Sequence, residues 1–228
     1  MTVADDLDEV RALKASAKSA RDDRDWDSAI ADLNDAIDLL QDRLEESSAA
    51  PEWLKAELAD TFGMIGGIEK RWGLQLEDEQ RRRHLKASVD AYDMGFKYEQ
   101  GLDLDDANTY NRINRLVGRV LLDKNMLRRG DSAASKFAEE LRDAEEIVTK
   151  EIETARQRDP WAYCDLGTVR LLRGKPDALS VFHDLERLRP EPYVYESVLS
   201  TLQPLSDVAS DIRPDLAKAV AQLRRYVR

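Results

Sequence analysis

Residues Arg24 to Leu40 read RDWDSAIADLNDAIDLL. Trp26, Ile30, Leu33, Ile37, Leu40 and, just beyond, Leu44 follow one another at steps of 4, 3, 4, 3 and 4. That spacing lays all six on one stripe of an α-helix and leaves the charged residues on the other faces. Working outward, the same helical period recurs in most segments and no segment shows a convincing period of two. The chain is therefore predicted to be all-α.

Helix punctuation divides the chain. SSAAP precedes Glu52, RRGDS covers Arg128 to Ser132, and RDPW offers Asp159 as an N-cap with Pro160 at the first helical position. RGKPD offers Gly174 as a C-terminal stop before Pro176. Helices are expected over 4–22, 25–46, 52–73, 77–99, 106–127, 132–158, 160–173, 176–188, 191–202 and 213–227, with a poorly defined piece over 205–211. Short links between them fit a closed bundle or an open stack of hairpins, and internal repeats decide between the two.

Within the opening stretch Ala29, Leu33 and Ala36 alternate small, large, small at steps of 4 and 3. Ser88, Tyr92 and Gly95 repeat those steps, as do Ala178, Phe182 and Leu185, where Pro190 follows 12 residues after Ala178. The pattern resembles the second helix of a tetratricopeptide repeat. Ala17 and Gly167 stand where the first helix of such a repeat has its small residue. The fold is thus expected to be an α-solenoid of antiparallel, degenerate tetratricopeptide-like hairpins.

FGMIGGIEKRW, Phe62 to Trp72, carries three glycines inside a helical pattern, each costing ~1 kcal/mol relative to alanine. Gly63, Gly66 and Gly67 leave one side nearly bare, so a neighbouring helix is expected to approach closely there, with Gly67 as the small position of a first helix. Gly95 and Gly167 are assigned the same packing role. The link WGLQLEDEQ that follows looks longer than a standard repeat allows.

The order of three motifs resembles the TRAFs-binding domain of mitogen-activated protein kinase kinase kinases, the central regulatory region of the apoptosis signal-regulating kinases, which has prokaryotic relatives. That family carries a helix of the type L-x-G-R-I-Y-K, an interruption, a helix of the type A-I-x-W-Y-x-x-G-F, and Y-x-G-I-N leading into an apolar helix. Ile65 to Lys70, Ser88 to Phe96 and Tyr110 to Asn114 are the counterparts here, and the likeness spans roughly residues 52–203. Gly67 stands where the family has arginine, Glu69 where it has tyrosine and Ala91 where it has tryptophan. The resemblance implies a non-catalytic regulatory module that scaffolds protein complexes.

The 228 residues carry a formal charge of -11, and residues 1–60 alone hold 17 acidic and 7 basic side chains, a net of -10. Such acidity disfavours nucleic-acid binding. No apolar run reaches the ~18 residues of a membrane span, and the acidic start MTVADDLDEV is unlike a signal peptide, so a cytoplasmic protein is expected. One cysteine, Cys164, and two histidines, His84 and His183, argue against a disulfide or zinc site. LDLDDAN, Leu102 to Asn108, lacks the glycine and glutamate of a calcium loop and reads as a turn and N-cap. No catalytic residue, cofactor or metal ligand is expected, since no nucleophile elbow or phosphate loop is present.

Arg112, Arg115 and Arg119, spaced 3 and 4 apart, form a cationic stripe opposite Ile113, Val117 and Val120. With Asn111, Asn114 and Tyr92 they are the candidate partner-binding residues, gripping an acidic segment on a concave surface. Pairing with acids on adjacent helices is the alternative for the arginines, and Tyr92, Tyr110, Trp161 and Tyr195 read as core packing rather than a ligand cage. The whole chain reads as one helical-repeat domain: an acidic hairpin over 1–50, the core over 52–203 and a capping helix over 204–228. Its expected work is to bind a protein helix, tail or neighbouring effector domain, within a signalling or defence complex, with self-association left open. The alternative is a ligand sensor or nucleic-acid adaptor, and a sensor would need a cluster of buried polar groups.

Overall fold

The computed structural model describes residues 3–47, 51–100, 102, 109–128 and 132–227. Among these the chain forms ten α-helices and no strand: α1 (Val3–Asp22), α2 (Trp26–Glu46), α3 (Glu52–Gly73), α4 (Asp78–Glu99), α5 (Tyr110–Leu122), α6 (Ser132–Glu153), α7 (Pro160–Arg173), α8 (Ala178–Arg187), α9 (Pro192–Ala209) and α10 (Asp215–Leu223). Short 3-10 turns follow α5 at Lys124–Leu127 and α10 at Arg224–Tyr226. The all-α, tetratricopeptide-like hairpin class read from the sequence is the class observed.

The caps act as their chemistry dictates. Asp25 accepts a hydrogen bond from the Ser28 amide at 3.2 Å and starts α2, and Asp159 accepts from the Trp161 amide at 2.9 Å with Pro160 in the first turn of α7. Gly174 closes α7 in the left-handed region, at φ 68°. Its amide and that of Lys175 bond back to the carbonyls of Leu171 and Arg170.

Several boundaries differ from the expected ones. The sixth helix stops at Glu153, where the Arg156 amide bonds back to the Glu151 carbonyl and the Arg156 guanidinium spans Glu151 and Asp159. α9 runs on through Pro204 to Ala209, absorbing the ill-defined piece, because Leu202, Leu205 and Ala209 keep its buried stripe continuous. The link after the glycine-rich helix is only residues 74–77, since α3 and α4 take up both of its ends. Residues 103–108 of the calcium-like stretch, and residues 48–50 and 129–131, lie outside the described residues.

Contacts gather into two compact units, Met1–Arg115 and Leu116–Arg228. In the first, α1 pairs with α2, α2 with α3 and α3 with α4. Ala17, Ala29, Leu33 and Ala36 are all fully buried there. Lys14 of α1 reaches across to Glu57 and Asp60 of α3, at 2.6 Å to each. Burial pulls that ammonium down, but Asp60 and Glu57 outweigh it and hold it above the ordinary lysine value.

In the second unit α7 pairs with α8, α6 with α7 and α9 with α10. Gly167 of α7 receives the ring of Phe182 of α8, the small-against-large contact the repeat pattern predicts. Glu145 of α6 ties to α7 through both Arg170 and Arg173. Cys164 is buried, as expected for a small apolar residue, and burial first, then the charges of Asp165 and Asp159, push its thiol up.

Candidate functional site

The bare side of α3 is where the first unit concentrates its polar groups. Gly63, Gly66, Gly67 and Lys70 fall at intervals of 3, 1 and 3, which is one stripe of a helix. Against this stripe lie Ser88, Tyr92, Gly95 and Glu99 of α4 and Tyr110, Asn111 and Asn114 of α5. A Cβ on Gly66 would stand 2.8 Å from the Tyr92 ring, and one on Gly63 would stand 2.7 Å from Asn111 Oδ1. Gly66 rather than Gly67 therefore takes the bulky residue of the second helix. Gly67 instead faces the phenol of Tyr110, 3.3 Å from where its Cβ would be.

The seam is hydrogen-bonded across three helices. Ser88 Oγ donates to the Gly66 carbonyl at 2.7 Å. Asn111 Nδ2 donates to the Ala59 carbonyl at 2.9 Å and to Glu99 Oε1 at 2.7 Å, while its Oδ1, also buried, has no partner among the described residues. An orphaned amide oxygen costs roughly 1–3 kcal/mol. Turning the amide over would set its oxygen against two acceptors, so the observed orientation is the better of two imperfect ones.

Lys70 is the most demanding member. Its Nζ donates to Asn114 Oδ1 at 2.7 Å, Asn114 Nδ2 in turn donates to the Tyr110 carbonyl at 3.0 Å, and the side chain lies 6.0 Å from the Tyr92 ring centroid. Burial, and then the positive charge of Arg71 beside it, lower Lys70 to about 7. Tyr92 is fully enclosed, and burial first, with its neighbour Tyr110, pushes its phenol well up. The two hydroxyls sit 3.4 Å apart, with the rings edge to face at 5.8 Å.

Three of the six sequence-derived partner residues fall into this interior. Tyr92, Asn111 and Asn114 are buried members of the seam. In the first unit, Arg112 and Arg115 both lie on the ring of Phe96, at 4.5 and 4.7 Å from its centroid, and Arg115 pairs with Asp93 at 3.1 Å. In the second, Arg119 pairs with Glu140 at 2.7 Å and lies over Phe137. The alternative weighed for the stripe, pairing with acids on adjacent helices, describes the observed geometry of Arg115 and Arg119. Tyr195 is buried as a core residue should be, whereas Tyr110 and Trp161 are exposed, contrary to the core reading.

Lys70, Glu99 and the cations Lys18, Arg21 and Arg71 were not singled out by sequence. Lys70 carried a readable signal, a cation one turn after Gly66 and Gly67 on the most tightly packed stripe of α3. The others gave none, because which acid or cation meets which depends on how the helices assemble.

Among the described residues no helix is long and apolar enough to cross a membrane, and no group of three His, Cys, Asp or Glu is placed to hold a metal ion. The family described as TPR-S, Tetratricopeptide Repeats-Sensor, matches residues 3–122. That is all of α1 to α5, the whole seam included. No curated protein and no solved structure matches the chain.

Proposed function

We propose that this chain, which belongs to the Tetratricopeptide Repeats-Sensor family, is a non-catalytic sensing and protein-interaction module. The seam of α3, α4 and α5 responds to a bound ligand, and the helical repeats present the result to a partner protein segment. The observation that carries this reading is the cluster of buried polar groups around Lys70. A helix-packing interface needs no buried ammonium, and burying one costs several kcal/mol when apolar residues of the same volume would pack as well. Groups held at such expense are where a change of charge or contact alters the fold's internal balance.

The partner side of the proposal rests on the repeat architecture, which offers extended surfaces to protein segments. The resemblance to the TRAFs-binding domain supports a place in a signalling or defence complex, in the cytoplasm. The test is capture of partners from the protein's own cells with the wild type, Lys70→Met and Tyr110→Phe as bait, identified by mass spectrometry. Variants that melt like the wild type but lose the captured partner support the reading. Unchanged capture by both variants overturns it.

A further inference from the structure

Beside the seam lies a cavity of about 100 Å³ whose walls include Lys18 and Arg21 of α1, Gly67 and Arg71 of α3, and Tyr110 of α5. Three cations converge on it in the half of the chain that carries nearly all the net negative charge. Lys18 and Arg71 have no ion pair or hydrogen bond among the described residues. Glu57 and Asp60, the acids of α3 that pair with α1, are held by Lys14. Arg21 uses Nε and Nη2 on Asp22 and keeps Nη1. Like charges gathered in one concavity repel one another, and an anion seated between them relieves that repulsion.

From this geometry we infer that the cavity is a binding site for a phosphate-class oxyanion, held by Lys18, Arg21 and Arg71 and by the hydroxyl of Tyr110. The donors come from three helices and so approach from several directions. That suits a tetrahedral group with oxygens on every side and a charge of two, whereas a planar carboxylate offers only two oxygens. Gly67 completes the fit, since a side chain there would point toward the Tyr110 hydroxyl and into the space the anion takes. The inference deepens the sensing proposal and rests on it for its consequence. Tyr110 joins the cavity to Tyr92 and, through its carbonyl, to Asn114 and Lys70, and Arg71 is the neighbour whose charge bears on Lys70. An anion that neutralises Arg71 thereby changes the electrostatic setting of the buried lysine.

The test is calorimetric titration of the full chain with inorganic phosphate, pyrophosphate and glycerol 3-phosphate, with succinate and with sodium chloride at matched ionic strength. One site per chain is expected for the phosphates. Tightest binding by the inorganic forms assigns a free phosphate and tightest binding by glycerol 3-phosphate a phosphoryl ester; both support the inference. Arg71→Gln and Lys18→Gln, which remove exposed side chains, should each weaken binding about tenfold, while Lys86→Gln on the outer side of α4 should not. No heat, a response equalled by chloride, equal or tighter binding of succinate, or indifference to Arg71→Gln overturns it. Phosphate binding with partner capture unaffected by seam variants would keep this site and sink the sensing proposal; seam-dependent capture without phosphate binding would do the reverse.

Discussion

Asn111 occupies the space in which a side chain at Gly95 would begin: a Cβ there would stand 2.6 Å from both Cγ and Nδ2 of the asparagine. Because Asn111 is fixed by Ala59 and Glu99, it has little room to retreat. Gly95→Ala gains ~1 kcal/mol of helix propensity but forces an overpacked contact costing about 1–3 kcal/mol and strains two buried hydrogen bonds. A net loss of about 1–2 kcal/mol is expected, read as a lower urea midpoint. A higher midpoint would mean the asparagine moves freely.

Gly167 and Phe182 make the same kind of pair in the second unit, where a Cβ on the glycine would stand 2.5 Å from Cζ of the ring. Gly167→Ala should destabilise, and combining it with Phe182→Leu should cost less than the sum of the single changes by about 1 kcal/mol or more. Strict additivity in a double-mutant cycle would refute the contact.

Lys70 makes stability depend on pH in a stated direction. Its folded value is lowered to about 7, while the unfolded chain holds the proton to about 10.4. Between these values the unfolded state binds more protons, so stability rises with pH; below about 7 both states are charged and the penalty is constant. Relative to Lys70→Met, the wild type should gain on the order of 3 kcal/mol between pH 6 and 9.5. Parallel stability curves for the two proteins would show that the amine is not buried as described.

Arg119 and Glu140 are each about one-fifth exposed, so their pair is sheltered from water. Arg119→Glu should cost about 1–3 kcal/mol, and adding Glu140→Arg should restore part of the loss, both read from thermal unfolding. An unchanged melting temperature would return Arg119 to the role of a free partner contact.

Cys164 should resist a thiol reagent in the native chain, because its thiol is buried and pushed up. Labelling at the rate of an exposed cysteine would contradict this.

What the sequence disclosed follows from where information is local. The steps Ala29-Leu33-Ala36 and Ala178-Phe182-Leu185 are fixed by helix geometry, so the helices, their buried faces and the hairpin class were legible. Asp25, Asp159 and Gly174 were equally so, since a cap acts on its own turn. Gly66 and Gly67 were not told apart, because adjacent residues differ in facing by about 100° and the partner's position decides which is crowded. The enclosure of Tyr92 followed from its place as the large residue between Ser88 and Gly95, but the exposure of Tyr110 was not legible, since an aromatic at helical spacing reads as core. The seam required knowing that Glu99, Asn111 and Lys70 converge from three helices.

A helix with Gly63, Gly66 and Gly67 in its middle forfeits roughly 3 kcal/mol of intrinsic preference, and what restores it comes from Tyr92, Tyr110 and Asn111 on other segments. α3 consequently has little reason to coil before its neighbours arrive, so it should assemble late and in concert with them. A synthetic 52–73 peptide should be mostly random in water, and in the intact chain the amides of α3, α4 and the start of α5 should exchange with solvent as one block.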